Sequence, residues 1–285
     1  MFDTFKNRLE ITGTLTTVTA LRISAGRSTE PIGSDLPVIK DALGRPLIPG
    51  SSFKGALRSR LESFLRGIDP NLAEDPANYT SSTRNNQVKA LKVKYKNNDL
   101  VLTQELIGIT DDIGSLFGTP WMASKFQVRD LTVQPDAWFG QYQERDGVAI
   151  DRDTETAADG KLYDYQVVPA ATPFDFKAVV ENAHDWELGL LTIGLHQFET
   201  EQIPLGGGRS RGLGVVKLEI DKMRWFDYPE DRPDLLIEYL KKLVMGDDTA
   251  YEDPRDFKDY WVEELIKHFK EKTSDKSQAT SAKQI

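Results

Sequence analysis

The chain has 285 residues, a formal net charge of -9, three histidines and no cysteine, so it is long enough to bury a sizeable core in one large or two small domains. Disulfides, thiolate nucleophiles and cysteine-ligated zinc are excluded, and the acidic balance argues against indiscriminate nucleic-acid binding, which needs clustered Lys and Arg. No apolar run reaches the roughly 18 to 20 residues of a membrane span, and MFDTFKNRLE lacks the residue order of a signal peptide, so the expected location is the cytoplasm with no membrane partner.

Residues 8–24 alternate Leu9, Ile11, Gly13 and Leu15 against polar neighbours, which predicts one or two strands. Pro31, Pro37, Pro46 and Pro49 then impose a loop, with LPVIKD as a short strand inside it. A helix is predicted over 52–66, capped by Ser51 or Ser52, with Phe53, Leu57, Leu61, Phe64 and Leu65 on one face and Lys54 and Arg58 on another. Residues 68–112 show poor periodicity and read as an insertion, loop-like at first, with KALKVKYKNNDLVLTQEL as a basic strand or hairpin.

FQVRDLTV predicts a strand, and GVAIDRDTETAADGKLYDYQVVP a long hairpin of two arms about a polar tip, within about 140–170. FDFKAVVEN is a further strand with one buried face. Asp185 is placed to cap a second helix carrying Leu188, Leu191, Leu195 and Phe198, and VVKLEI is the last strand of the core. Amphipathic segments near 233–245 and 257–270 form a C-terminal helical extension over 221–270, and the polar end, 271–285, reads as disordered. The order strand, helix, strands, helix, strand suits an α+β, ferredoxin-like core over 1–67 and 113–220.

The chemistry is sparse. GGGRSRGLG lacks the spacing of a dinucleotide fingerprint and precedes a strand, and PGSSFKG lacks the second glycine of a phosphate-binding loop. It is either a bare turn or a phosphate clamp in which Gly207 and Gly208 bring backbone N–H groups close while Arg209 and Arg211 supply guanidiniums. With no histidine before position 184, histidine acid–base catalysis has little to draw on. Asp35, taken alone, reads as a turn acid, as does Asp41. Tyr163 and Tyr165 read as half-buried strand residues, with base stacking as the alternative.

Taken together, LPVIKD at 36–41, IPGSSFKG at 48–55, LFG at 116–118, VAIDR at 148–152 and the glycine-rich run at 206–214 resemble the RAMP superfamily, and more narrowly the backbone subunits of type III CRISPR effector complexes. The resemblance implies a modified RRM-like or ferredoxin-like core that binds CRISPR RNA, assembles with sister subunits and other effector-complex proteins, and inserts a hairpin thumb into the guide–target duplex. It implies that Asp35, just before the LPVIKD stretch, supports cleavage of target RNA with Mg²⁺ or a similar divalent cation. It places Ser51, Ser52, Lys54, Arg58, Arg152, Gly207, Gly208, Arg209 and Arg211 on RNA. A non-catalytic backbone subunit is the alternative, and a guide-processing endonuclease a weaker one.

Overall fold

The computed structural model describes residues 4–27, 34–150, 155, 157–228 and 232–282. Its strands are β1 (Asn7–Thr17), β2 (Leu47–Ile48), β3 (Phe126–Val128), β4 (Leu131–Thr132), β5 (Gln143–Ile150), β6 (Ala157–Val167), β7 (Pro173–Glu181) and β8 (Val216–Asp227). The helices are α1 (Gly50–Ile68), α2 (Pro76–Tyr79), α3 (Ser82–Lys94), α4 (Asp99–Gly108), α5 (Asp112–Phe117), α6 (Asp185–Glu199), α7 (Pro233–Met245) and α8 (Lys258–Ala282).

A four-stranded antiparallel sheet has the order β3-β7-β1-β8. The succession β1, α1, β3, β7, α6, β8 threads it as a ferredoxin-like βαββαβ unit. Alternation in β1 turns Leu9, Ile11 and Leu15 to the buried face, and β7 answers with Phe174, Phe176, Ala178 and Val180. Helices α1 and α6 cover that face. Phe53 stacks on Phe198 with centroids 4.3 Å apart and tilts against Phe176 at 5.0 Å. Such pairs add about 0.5–1.5 kcal/mol beyond the area they bury.

The expected strand or hairpin within 68–112 is helical: α3 and α4 occupy it, capped by Ser81 and Asn98. Only Val88 is buried in α3 and nothing in α4, so no apolar stripe marks them. The Lys–Val alternation of KVKYK mimics a strand, while Ala, Leu and Lys favour a helix. Two cap assignments also shift. Pro49 stands at the start of α1, where Asp130 accepts the Gly50 N–H at 2.8 Å, so neither Ser51 nor Ser52 is the cap. The cap of α6 is His184, whose N–H donates to Glu187 at 2.7 Å, and Asp185 lies in the first turn.

The last core strand runs on to Asp227, and the backbone is helical through Ala282 where a disordered end was expected. Trp261 and Leu265 of α8 are buried against the core, and the Trp225 and Trp261 rings meet edge-on at 5.3 Å. Asp112 receives His268 Nε2 at 3.0 Å and the Lys272 ammonium on its other oxygen. Trp261, Leu265 and His268 fall in the expected amphipathic segment, and of these contacts only Lys272 belongs to the polar end. Among the described residues no helix is long and apolar enough to cross a membrane.

Candidate nucleic-acid interface and cleavage site

The polar face of α1 and the glycine-rich turn before β8 enclose an open groove of about 530 Å³. Ser51, Ser52, Ser59, Arg60 and Ser63 line it from the helix, and Gly206 and Arg209 from the turn. Ser52, Ala56, Ser59 and Ser63 recur at helical spacing opposite the apolar stripe of Phe53, Leu57 and Leu61. Small side chains let an extended ligand lie close to the helix, and hydroxyls offer it donors.

Gly206 is needed where it stands. Its φ is +74°, and a Cβ there would meet the Arg22 carbonyl oxygen at 2.1 Å. The neighbouring Gly207 N–H donates to that same carbonyl at 2.8 Å. Gly208, also left-handed, opens a single turn carrying Arg209 and Arg211 into solvent. Arg209 Nε donates to the Gly206 carbonyl at 3.1 Å, and Arg211 Nη1 to the Tyr163 hydroxyl at 3.2 Å.

The structure does not bring Lys54 and Arg58 into this groove. Lys54 Nζ donates to Ser124 Oγ at 2.6 Å, and burial, helped by repulsion from Arg58, pulls its ammonium down to about 8. Arg58 donates to Glu62, to the Gly118 carbonyl and to the Tyr79 hydroxyl. Both seat α1 on the 118–124 turn. Phe64, expected in the core, is 37% exposed and lies under the Arg60 guanidinium at 4.6 Å. Arg152, like Asp151, lies outside the described residues.

Strands β5 and β6 form a separate two-stranded hairpin paired from Gln143↔Val167 to Ile150↔Ala157. Its root joins the core through reciprocal Leu21–Val168 backbone bonds at 2.8 Å. The 34–40 segment lies between this hairpin and residues 23–25. Gln166 N donates to the Leu36 carbonyl at 3.1 Å, and Ala25 N and Ile39 N close the other edge at 3.0 and 2.9 Å.

Asp35 sits at the near end of that segment, half-buried, and its N–H donates to Asp164 Oδ1 at 3.1 Å. Asp41 is the turn acid: it accepts the N–H groups of Leu43 and Arg45 and the Arg45 guanidinium, which hold its carboxyl below the usual range.

Residues 163 and 165 point from one face of β6 and 164 from the other. On the first face, Arg22 lies over the buried Tyr165 ring at 4.7 Å, with its Nε buried and unpaired, and Arg211 meets Tyr163. On the second stands the Asp35–Asp164 contact. The hairpin root thus separates a cation–aromatic surface from a carboxylate one. Sequence reasoning missed Arg22, Arg60 and Asp164. Arg60 had a signal in the serine spacing of α1, whereas the other two are defined by partners more than a hundred residues away.

The amino-acid sequence has relatives among characterised proteins. The chain is 25% identical over 221 residues to the CRISPR system Cms endoribonuclease Csm3 of Enterococcus italicus, covering 76% of this chain and 92% of the relative. It is 28% identical over 227 residues to the protein of the same name from Methanocaldococcus jannaschii, covering 77% and 82%. A 56-residue stretch is 52% identical to the Mycobacterium tuberculosis one, covering 19% of this chain and 24% of that relative. The RAMP superfamily model matches residues 14–217, which takes in β3, β7, the end of β1 and the start of β8, both covering helices, the groove and the hairpin. With the helices α1 and α6, the glycine turn and the inserted hairpin all inside that span, and the span covering well over half of the chain, the chain belongs to the RAMP superfamily.

Proposed function

We propose that this chain is a CRISPR RNA-binding backbone subunit of a type III effector complex, and that it cuts guide-paired target RNA through Asp35. The observation that carries the reading is the division at β6, with the Arg22, Tyr165, Tyr163 and Arg211 cluster on one face and Asp35 beside Asp164 on the other. Support comes also from relatives named as CRISPR endoribonucleases.

The groove between α1 and the glycine turn takes the guide backbone. Ser51, Ser52, Arg60 and Arg209 contact phosphates and sugars without reading bases, with Gly207 and Gly208 keeping the backbone close. Sequence selection then belongs to base pairing between guide and target. Lys54 and Arg58 hold the helix in place beneath. The partners are CRISPR RNA, target RNA and sister subunits of the same assembly.

Cleavage by an internal 2'-hydroxyl needs in-line geometry at the scissile phosphate and relief of its growing charge. The hairpin, entering the duplex, unstacks the target at its root and sets that geometry. A Mg²⁺-class ion would be held by the Asp35 carboxylate together with RNA phosphate oxygens, the hard oxygen ligands such an ion takes. Such an ion supplies charge neutralisation at the phosphate. Asp35 supplies the carboxylate that faces the reacting strand.

The test is single-turnover target cleavage by the assembled complex carrying D35A. Loss of cutting by about 100-fold or more with guide and target affinity unchanged is the expected result. Cutting at the wild-type rate would instead make the chain a structural subunit.

A further inference from the structure

The hairpin and the cleavage loop share more than proximity. The Leu36–Ile39 stretch is laced on one edge to β6 and on the other to residues 23–25 by backbone bonds. Asp35 ends that lacing, and its amide goes to a side chain, Asp164 Oδ1 at 3.1 Å, in place of a backbone carbonyl. A carboxylate accepting a backbone N–H makes a charge-assisted bond, about twice as strong as a neutral one.

The choice of an acid at 164 calls for a reason beyond the hairpin's own stability. Asp164 stands directly opposite Asp146 in the β5–β6 ladder, and like charges so paired weaken a strand pair. What Asp164 gains is the Asp35 amide.

We propose that Asp164 is a positioning residue for the cleavage carboxylate: by accepting the Asp35 amide it fixes the Asp35 backbone to the hairpin root, so that the seating of the hairpin sets where the Asp35 side chain stands. The inference rests on the role given to Asp35 above. It explains how a lone acid on a proline-rich loop holds a reproducible place, and why that acid's anchor lies on the inserted hairpin and not on the core. Cutting is then coupled to hairpin placement, since a displaced β6 carries the Asp35 amide with it.

The experiment compares D164A, D164N and D35A with wild type. In the assembled complex, single-turnover cleavage and target affinity are measured; in the free protein, hydrogen exchange at the Asp35 amide. D164N keeps an oxygen at the accepting position, whereas D164A removes it. The expected result is cleavage about 10- to 100-fold slower in D164A with target affinity retained, restored to within about threefold of wild type in D164N. Exchange at the Asp35 amide rises about tenfold in D164A and stays near wild type in D164N.

Cleavage as slow in D164N as in D164A, with the Asp35 amide still protected in D164N, overturns the positioning role in favour of a need for the negative charge itself. Wild-type cleavage in D164A, with D35A inactive, overturns the inference and leaves the function of Asp35 standing. Wild-type cleavage in D35A overturns that function and the positioning role with it, while the exchange data still report whether Asp164 holds the amide.

Discussion

Arg211 Nη1 stands 3.2 Å from the Tyr163 hydroxyl, and through that bond the glycine-rich turn before β8 reaches the hairpin strand β6. The guanidinium holds the phenol below its ordinary value, first by hydrogen bonding and then by charge. A cation in such a place braces the hairpin root and presents its remaining donors to solvent.

If Arg209 and Arg211 each neutralise one guide phosphate, removing either weakens guide binding by a similar factor whatever the guide sequence. R209A and R211A should each reduce the slope of log affinity against log salt by about 0.7, the value for one single-strand phosphate contact. Guide-binding titrations between about 50 and 200 mM salt read this directly. An unchanged slope would remove these arginines from the interface.

Arg60 and Arg58 are adjacent in type and opposite in setting. R60A is expected to weaken guide binding and, by taking the guanidinium off the Phe64 ring, to cost about 0.5–1 kcal/mol of stability. R58A leaves Glu62 buried without one of its two guanidinium partners and breaks the bonds to Gly118 and Tyr79. Its loss should be seen first as a lower unfolding midpoint in denaturant.

Beneath α6, Lys125 Nζ and Glu187 Oε2 form an ion pair at 2.5 Å, with Lys125 3% and Glu187 0% exposed. The same carboxylate accepts Ser115 Oγ and the His184 N–H. Replacing Lys125 by Met strands that charge, and a loss of about 3–5 kcal/mol is expected in equilibrium unfolding. K125M/E187L should recover part of it, because no unpaired charge is left inside.

Lys54 gives a pH signature. Its folded pKa of about 8 lies below the unfolded value, so between about 8 and 10.5 the unfolded chain binds more protons and stability rises with pH. This group disfavours the fold most below that window. Comparing wild type with K54M, the stability difference should shift toward wild type as pH climbs through it. A pH-independent difference would contradict the buried setting of the ammonium.

The docking of α8 depends on close approach. A Cβ on Gly189 would lie 2.1 Å from the Trp261 carbonyl oxygen, so G189A forces α6 and α8 apart. The expected outcome is a lower melting temperature and greater exposure of Trp261, visible as a red shift in tryptophan emission. Melting and emission unchanged from wild type would mean that the helices can pack without this contact.

Local sequence order determined much of this protein. The alternation of Leu9, Ile11 and Leu15, the every-fourth-residue run from Phe53 to Leu65 and the Phe174–Val180 pattern each match a period set by backbone geometry, and the βαββαβ order follows from them. The glycine turn at 206–214 was legible for the same reason, since positive φ favours glycine wherever the chain folds back. Helices α3 and α4 were not legible, because solvated helices carry no apolar stripe.

Tertiary structure alone decided the rest. It turned Lys54 and Arg58 away from the groove and Arg60 into it, a difference of helical phase relative to neighbours that the helix sequence does not contain. It joined Arg22 to Tyr165 and Asp35 to Asp164, pairs separated by well over a hundred residues whose contact exists only once the hairpin is seated. The motif at Asp35 named a residue, while its anchor required the fold: one hydrogen bond fixes a backbone position, and only packing decides which side chain is there to accept it.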